Sequence, residues 1–236
     1  MKKLSAQSWL KIALGNLVVI ALLGFILRYK IAYSLPFIDQ KHLLQAHSHF
    51  AFSGWISQSL MVLMVNYLSQ KGLQQAFEKY ALLLFANLIS AYGMLLSFPF
   101  QGYGFVSITF STLSIFVAYA FAYRFWMDTR QFKTSGISIN WFKAALFFNA
   151  FSTLGAFTLS FLMANKINHQ NWYLAAVYFF LHFQYNGWFL FACGGLWYSK
   201  VEAFNLKMKY SKVIFWMPFI VCMPSYLLST LWMKLP

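Results

Sequence analysis

The stretch HFAFSGW, His49 to Trp55, returns as HFQYNGW, His182 to Trp188, an H-F-x-[F/Y]-[S/N]-G-W phrase repeated at an offset of 133 residues (182 minus 49). Each copy lies inside a long apolar segment, so the phrase sets a histidine at matching places in two such stretches. The surrounding 236-residue chain is 61% hydrophobic and 22% aromatic, and its 9% of charged residues are too few to cover a water-soluble surface. Several apolar runs exceed the ~18 residues that mark a membrane-crossing helix.

Divided at its polar clusters, the sequence holds seven apolar spans: 9–28, 43–68, 81–98, 105–126, 142–163, 172–199 and 213–232. All seven are expected to be helices, because an open strand edge in lipid leaves backbone groups unpaired. The fold class is therefore an all-α integral membrane protein with seven transmembrane helices. The net charge of +14 does not point to nucleic acid, since the cations stand between apolar runs and not in one patch. They mark sidedness instead. Lys2, Lys3, Lys11, Lys71, Lys79, Arg124, Arg130, Lys133, Lys143, Lys200, Lys207, Lys209 and Lys212 fall on one side, and Arg28, Lys30, Lys41, Lys166 and Lys234 on the other. The excess on the first side places the N-terminus in the cytoplasm and the C-terminus outside, in a multi-pass protein of the cell inner membrane. Lys2 and Lys3 ahead of an apolar run could open a secretory signal, but Leu27-Arg28-Tyr29-Lys30 follows where small cleavage-site residues belong, so the run is read as span 1.

The repetition extends beyond the phrase. WLKIAL at Trp9 to Leu14 matches WFKAAL at Trp141 to Leu146, and Ala91-Tyr92 matches Ser225-Tyr226 more weakly. Spans 1–3 thus map onto spans 5–7 in the same direction, a parallel internal repeat with span 4 as linker. The corresponding divisions are 1–104, 105–133 and 134–236. Parallel repeats share an axis along the membrane normal, so His49 and His182 are expected at similar depth, roughly 10 Å inside the outer boundary by helical rise. Cys193 and Cys222 read as unpaired core residues in the inner half. Residues Thr134 to Asn140 read as an ordinary turn into span 5, and Lys207 to Lys212 as a cytoplasmic anchor.

An outward histidine is ordinarily an interfacial polar group, which suffices for His42 or His169 taken alone. A repeated histidine within apolar spans is costly unless it has a partner, and marks a functional candidate. Imidazoles from two helices can hold a haem iron as cofactor-binding His49 and His182, whereas a lone copper or other transition-metal ion wants three or four ligands. His42, His47, His49 and His182 are the metal candidates. Helical phase separates them: His42 and His49 share a face, and His47 lies about 160° away. Groups expected to orient the imidazoles are Ser53, Gln184, Asn186, Asn16 and Asn149, with Gln45, Gln58 and Tyr178 nearby in sequence. Gly54 and Gly187 read as close-packing positions. Asp39, Glu78, Asp128 and Glu202 all fall at span ends or in loops, so no carboxylate is available in the membrane for a proton-coupled carrier. Phosphate-binding glycine loops, nucleophile elbows and zinc-protease motifs do not occur.

The AHSHFAFSGW stretch, Ala46 to Trp55, at the head of an outside-to-inside helix resembles the histidine-bearing helices of the haem-copper oxidase superfamily, with a short H-x-H then G-W pattern. The likeness covers mainly spans 2 and 6. It implies haem b ligated by His49 and His182, His47 being an alternative within the H-x-H, in the outer half of the membrane. It also implies an oxidoreductase component acting in electron transfer, gas sensing or a redox complex, with a redox partner or other membrane subunits, or further copies of itself, as companions. The chain departs from that superfamily in having fewer spans and no paired histidines in a later helix, so oxygen reduction by this chain alone is not expected. A different class stays open: three spans, a linker and three spans is also the plan of SWEET sugar carriers, which bind solute between repeats. A non-catalytic membrane subunit is the third reading.

Overall fold

The computed structural model describes residues 4–132, 136–206 and 208–233, and every element among them is helical. Lys2, Lys3, Lys133, Lys207 and Lys234 of the charge count, and the start of the 134–140 turn, lie outside the described residues. The helices are α1 (Ala6–Ala32), α2 (Gln40–Phe50), α3 (Gln58–Gln70), α4 (Ala76–Gln101), α5 (Phe105–Thr129), α6 (Ile137–Ala164), α7 (Gln170–His182), α8 (Leu190–Ala203) and α9 (Ser211–Ser225). Between α2 and α3 the chain runs without interruption through a π-helical segment, π1 (Ala51–Ser57), and between α7 and α8 through a second, π2 (Phe183–Phe189). A 3₁₀ turn (Tyr226–Thr230) prolongs α9.

These helical runs fall on the seven apolar spans read from the sequence, most of them a few residues longer because polar flanks cap the ends. Ser5 caps α1 by accepting from the Ser8 amide at 3.2 Å, and the Asp39 carboxylate caps α2 by accepting from the His42 amide at 2.8 Å. Lys30 Nζ, counted above only as a surface charge, donates to the carbonyls of Leu35 (2.7 Å) and Ile38 (2.6 Å) and folds the connection between them. Pro99 lies within the last turn of α4, and Pro218 and Pro224 lie within α9.

Five helices, α1, α4, α5, α6 and the run Ser211–Thr230, are each long and apolar enough to cross a membrane. Their exposure pattern reverses that of a water-soluble bundle. Along α1 the exposed residues include Leu14, Val18, Leu22 and Phe25, while Asn16 on the opposite face is 1% exposed. Gln58 and Asn87 are likewise buried. Apolar side chains outward and amides inward are stable when the surroundings are lipid, where an unpaired amide costs several kcal/mol (roughly 2–7) and an exposed leucine costs nothing.

By its contacts the chain divides into two units, Met1–Arg124 and Phe125–Pro236, with the division inside α5. Most of the expected linker helix therefore belongs with the first unit. There α4 packs along α2 and α3, and α1 crosses α2, π1 and α3. Phe121 of α5 meets Tyr80 of α4 edge-on at 5.4 Å, and the Arg124 guanidinium lies 5.5 Å over the same ring. In the second unit α6 is the central helix, packed by α7, π2, α8 and α9. Gly155 permits the α6–α7 contact: a Cβ there would stand 2.5 Å from the Ala176 carbonyl oxygen. At the other end of α6, the Glu202 carboxylate at the close of α8 accepts from the Ser138 amide (2.9 Å) and hydroxyl (2.8 Å), pinning the helix start. A carboxylate suits that position because the first turn of a helix carries unpaired amide donors and positive dipole.

Candidate functional site

Both copies of the repeated phrase coincide with the two π segments. His49 stands two residues before π1 begins, and His182 is the residue immediately before π2. A π register displaces the regular i to i−4 bonding, so carbonyl groups there become available to side chains, and such segments recur at functional sites. In the first unit two of them, those of Ser53 and Gly54, accept from neighbouring side-chain amides. Asn16 Nδ2 of α1 donates to the Gly54 carbonyl at 2.5 Å, and its Oδ1 accepts from the Tyr92 hydroxyl at 2.6 Å. Asn87 Nδ2 of α4 donates to the Ser53 carbonyl (3.0 Å) and to Gln58 Oε1 (2.8 Å). The Ser53 hydroxyl turns back to the His49 carbonyl at 2.6 Å.

The His49 ring is held from two directions. It stacks on Phe98 with centroids 4.5 Å apart and 10° between planes, and its Nε2 lies 3.2 Å from the Tyr103 hydroxyl. Tyr103 stands in the α4–α5 connection just after Gly102, whose φ of +54° is a left-handed value that glycine adopts freely. A Cβ on Gly102 would also meet His42 Nε2 at 2.5 Å. His42 and His49 thus face this connection, while His47 turns to α1, its ring 3.4 Å from where a Cβ on Gly24 would be. Helical phase separates them as 100° per residue requires. Gln45 Oε1 and His47 Nδ1 are buried and find no hydrogen-bond partner among the described residues.

His182 is arranged differently. It is buried, its Nε2 is 2.9 Å from the Cys222 carbonyl oxygen of α9, and its Nδ1 is 3.2 Å from Asn186 Nδ2 one turn on. A carbonyl oxygen only accepts, so Nε2 carries the proton and Nδ1 receives the amide N–H. The Ser225 hydroxyl, 3.4 Å from Nε2, donates to the same carbonyl at 3.1 Å. Gln184 points away from the histidine, its Nε2 donating to Asn149 Oδ1 (2.9 Å) and the Ser152 hydroxyl (2.8 Å) of α6.

Of the five side chains expected to orient an imidazole, Asn186 meets a ring nitrogen; Ser53, Gln184, Asn16 and Asn149 instead hold the π segments or their flanks. Tyr178 lies tilted against Trp232 and His169 edge-on to Trp172, each away from these groups. Among the described residues no three His, Cys, Asp or Glu side chains come together as metal ligands. Cys193 is exposed and not the core residue expected, while Cys222 is buried. Gly187 is a close-packing position, a Cβ there meeting Phe148 at 2.4 Å, whereas Gly54 makes room for Phe50 of its own helix. Tyr103 and Asn87 carry no signal in the repeat; Tyr92 and Ser225 lay in its weakest match. Comparison of the chain with protein-family models, curated proteins and solved structures finds no match.

Proposed function

We propose that this chain is a seven-span membrane protein of two parallel repeats, cytoplasmic at its N-terminus, that holds a redox-active haem through His49 and serves in electron transfer or gas sensing. The observation that carries the reading is the state of the His49 ring. Its plane is set by Phe98, and Nε2 faces a hydroxyl that can donate to an unprotonated nitrogen, the form that ligates iron. The backbone behind it is pinned by Asn16 and Asn87, which suits a ligand held in one orientation. Bound haem would supply one-electron chemistry, and His49 would hold it through Nε2, the nitrogen that faces the Tyr103 hydroxyl. Bis-histidine ligation, which the doubled phrase suggests, does not fit the second unit, because His182 Nε2 is already a donor to Cys222.

The same pins weigh against the carrier reading. A carrier of the broken-helix kind leaves unwound carbonyls open to solute, whereas the Ser53 and Gly54 carbonyls are occupied by side-chain amides. The test is a reduced-minus-oxidised optical spectrum of detergent-purified protein from cells able to make haem, with metal analysis alongside. Soret and α bands are expected, lost in His49→Ala. A wild-type spectrum without them overturns the proposal, and solute uptake by reconstituted vesicles would then favour the carrier.

A further inference from the structure

We infer that His182 is a positioning residue that clasps the α7–π2 run to the broken end of α9, and that the two repeat histidines have diverged into one ligand and one clasp. The second half of this statement rests on the reading of His49 given above. The first half stands on the second unit alone.

Helix α9 ends at Ser225, and the last four carbonyls of an α-helix have no partner within it. The amide of Tyr226, which a continuing helix would direct to Cys222, goes to the Pro224 carbonyl instead. The Cys222 carbonyl is thereby left for side chains, and His182 Nε2 and the Ser225 hydroxyl take it. The clasp is reciprocal, since Cys222 Sγ lies 3.6 Å from the Asn186 carbonyl in π2 and donates to it. Asn186 thus contributes twice: its backbone oxygen receives the thiol, and its side-chain amide fixes the imidazole as the Nε2–H form. Tyr226, edge-on to the His182 ring at 6.0 Å, adds a third tie by donating to the Ala175 carbonyl of α7 at 3.0 Å. Both ring nitrogens of His182 are thus engaged within the unit, and no imidazole lone pair is left over for iron.

A clasp and a ligand respond differently to glutamine, whose Nε2 can replace the His182 Nε2–H as donor but does not replace imidazole on haem. In a Cys193→Ser background, Cys222 is the thiol that a membrane-permeant maleimide can label. His182→Leu is expected to raise its labelling rate roughly tenfold by freeing the Cys222 carbonyl and loosening the α9 end. His182→Gln is expected to label at the parent rate and to keep the parent haem bands in position and amount. Labelling as fast in His182→Gln as in His182→Leu, or no acceleration in His182→Leu, overturns the clasp. Loss of the bands in His182→Gln, or their change to those of a five-coordinate haem, overturns the divergence and restores His182 as a ligand. Should His182→Leu fail to accumulate, the glutamine variant decides by its labelling rate and bands. A parent protein without haem bands removes the His49 reading and leaves the clasp to be judged on labelling.

Discussion

Replacing Asn16 with leucine tests how the first π segment is held. Asn16 is 1% exposed and makes two short hydrogen bonds, to the Gly54 carbonyl at 2.5 Å and from the Tyr92 hydroxyl at 2.6 Å. Leucine keeps the branching at Cγ and is the bulkier side chain, so the change removes both bonds without opening a cavity. Side-chain hydrogen bonds between membrane helices average ~0.6 kcal/mol and reach ~1.7. Two of them, with the carbonyl and hydroxyl left buried, put the cost at about 1–3 kcal/mol. Its counterpart Asn149 accepts one bond, from Gln184, and Gln184 keeps Ser152, so Asn149→Leu should cost only about 0.5 kcal/mol. Unfolding by sodium dodecyl sulfate in mixed micelles, followed by tryptophan fluorescence, measures both. A cycle with Tyr92→Phe should show the two first-unit changes to be non-additive by about 0.6 kcal/mol. Equal costs for Asn16→Leu and Asn149→Leu, or a first-unit cost below about 0.3 kcal/mol, would refute the reasoning.

Three other outcomes are expected. Gly155→Ala drives a methyl to 2.5 Å from the Ala176 carbonyl and should destabilise by about 1–3 kcal/mol, whereas Gly15→Ala, with nothing within 4 Å, should stabilise by about 0.5–1 kcal/mol; thermal unfolding in detergent gives both signs. Glu202→Gln removes the charge that meets the start of α6 and should cost about 0.5–1 kcal/mol in the same melt. The Asp39 carboxyl is held below its usual value of 3.8, first by the His42 amide bond, with the charge of Lys30 adding to it. A carboxyl with a lowered folded pKa stabilises above its unfolded value, and that contribution fades as pH falls through the lower, folded one. Wild type should therefore lose stability more steeply than Asp39→Asn below about pH 4, and superimposable acid limbs would remove the cap from the explanation.

The helices were legible because hydropathy is a local property: each apolar span became helix, and the histidines came into view through repetition. The π segments were not legible, since every residue of AFSGWIS and FQYNGWF is compatible with an ordinary α register. The side chains that take carbonyls of the first segment lie elsewhere in the chain, Asn16 and Asn87 being 38 and 34 residues from their acceptors. Asn16 was visible as a polar residue in an apolar span, but its target was not. Placing it beside the imidazole was a reasonable inference from type and span, and the geometry sends it to the backbone instead. Tyr103 was out of reach for a related reason: it follows Gly102 in a short connection, and only the left-handed turn there brings its hydroxyl to His49.

The doubled phrase also concealed a difference in chemistry, because a histidine's role is set by what the other helices offer it. Around His49 the offer is a tyrosine hydroxyl, which can donate or accept and so permits an unprotonated Nε2. Around His182 it is a carbonyl released by the end of α9, which can only accept and so requires a protonated one. The fourth residue after each histidine follows suit. Ser53 is too short to return to the ring and bonds the backbone, while Asn186 reaches Nδ1 and completes the fixed tautomer. A serine and an asparagine at equivalent positions, which the [S/N] of the phrase treats as interchangeable, thus mark the point at which the two copies part. Exchanging them is the sharpest probe of that divergence: Ser53→Asn should bring an amide to His49 Nδ1, whereas Asn186→Ser should release His182 Nδ1 and speed Cys222 labelling. Unchanged labelling in Asn186→Ser would mean that the Cys222 carbonyl alone holds the ring.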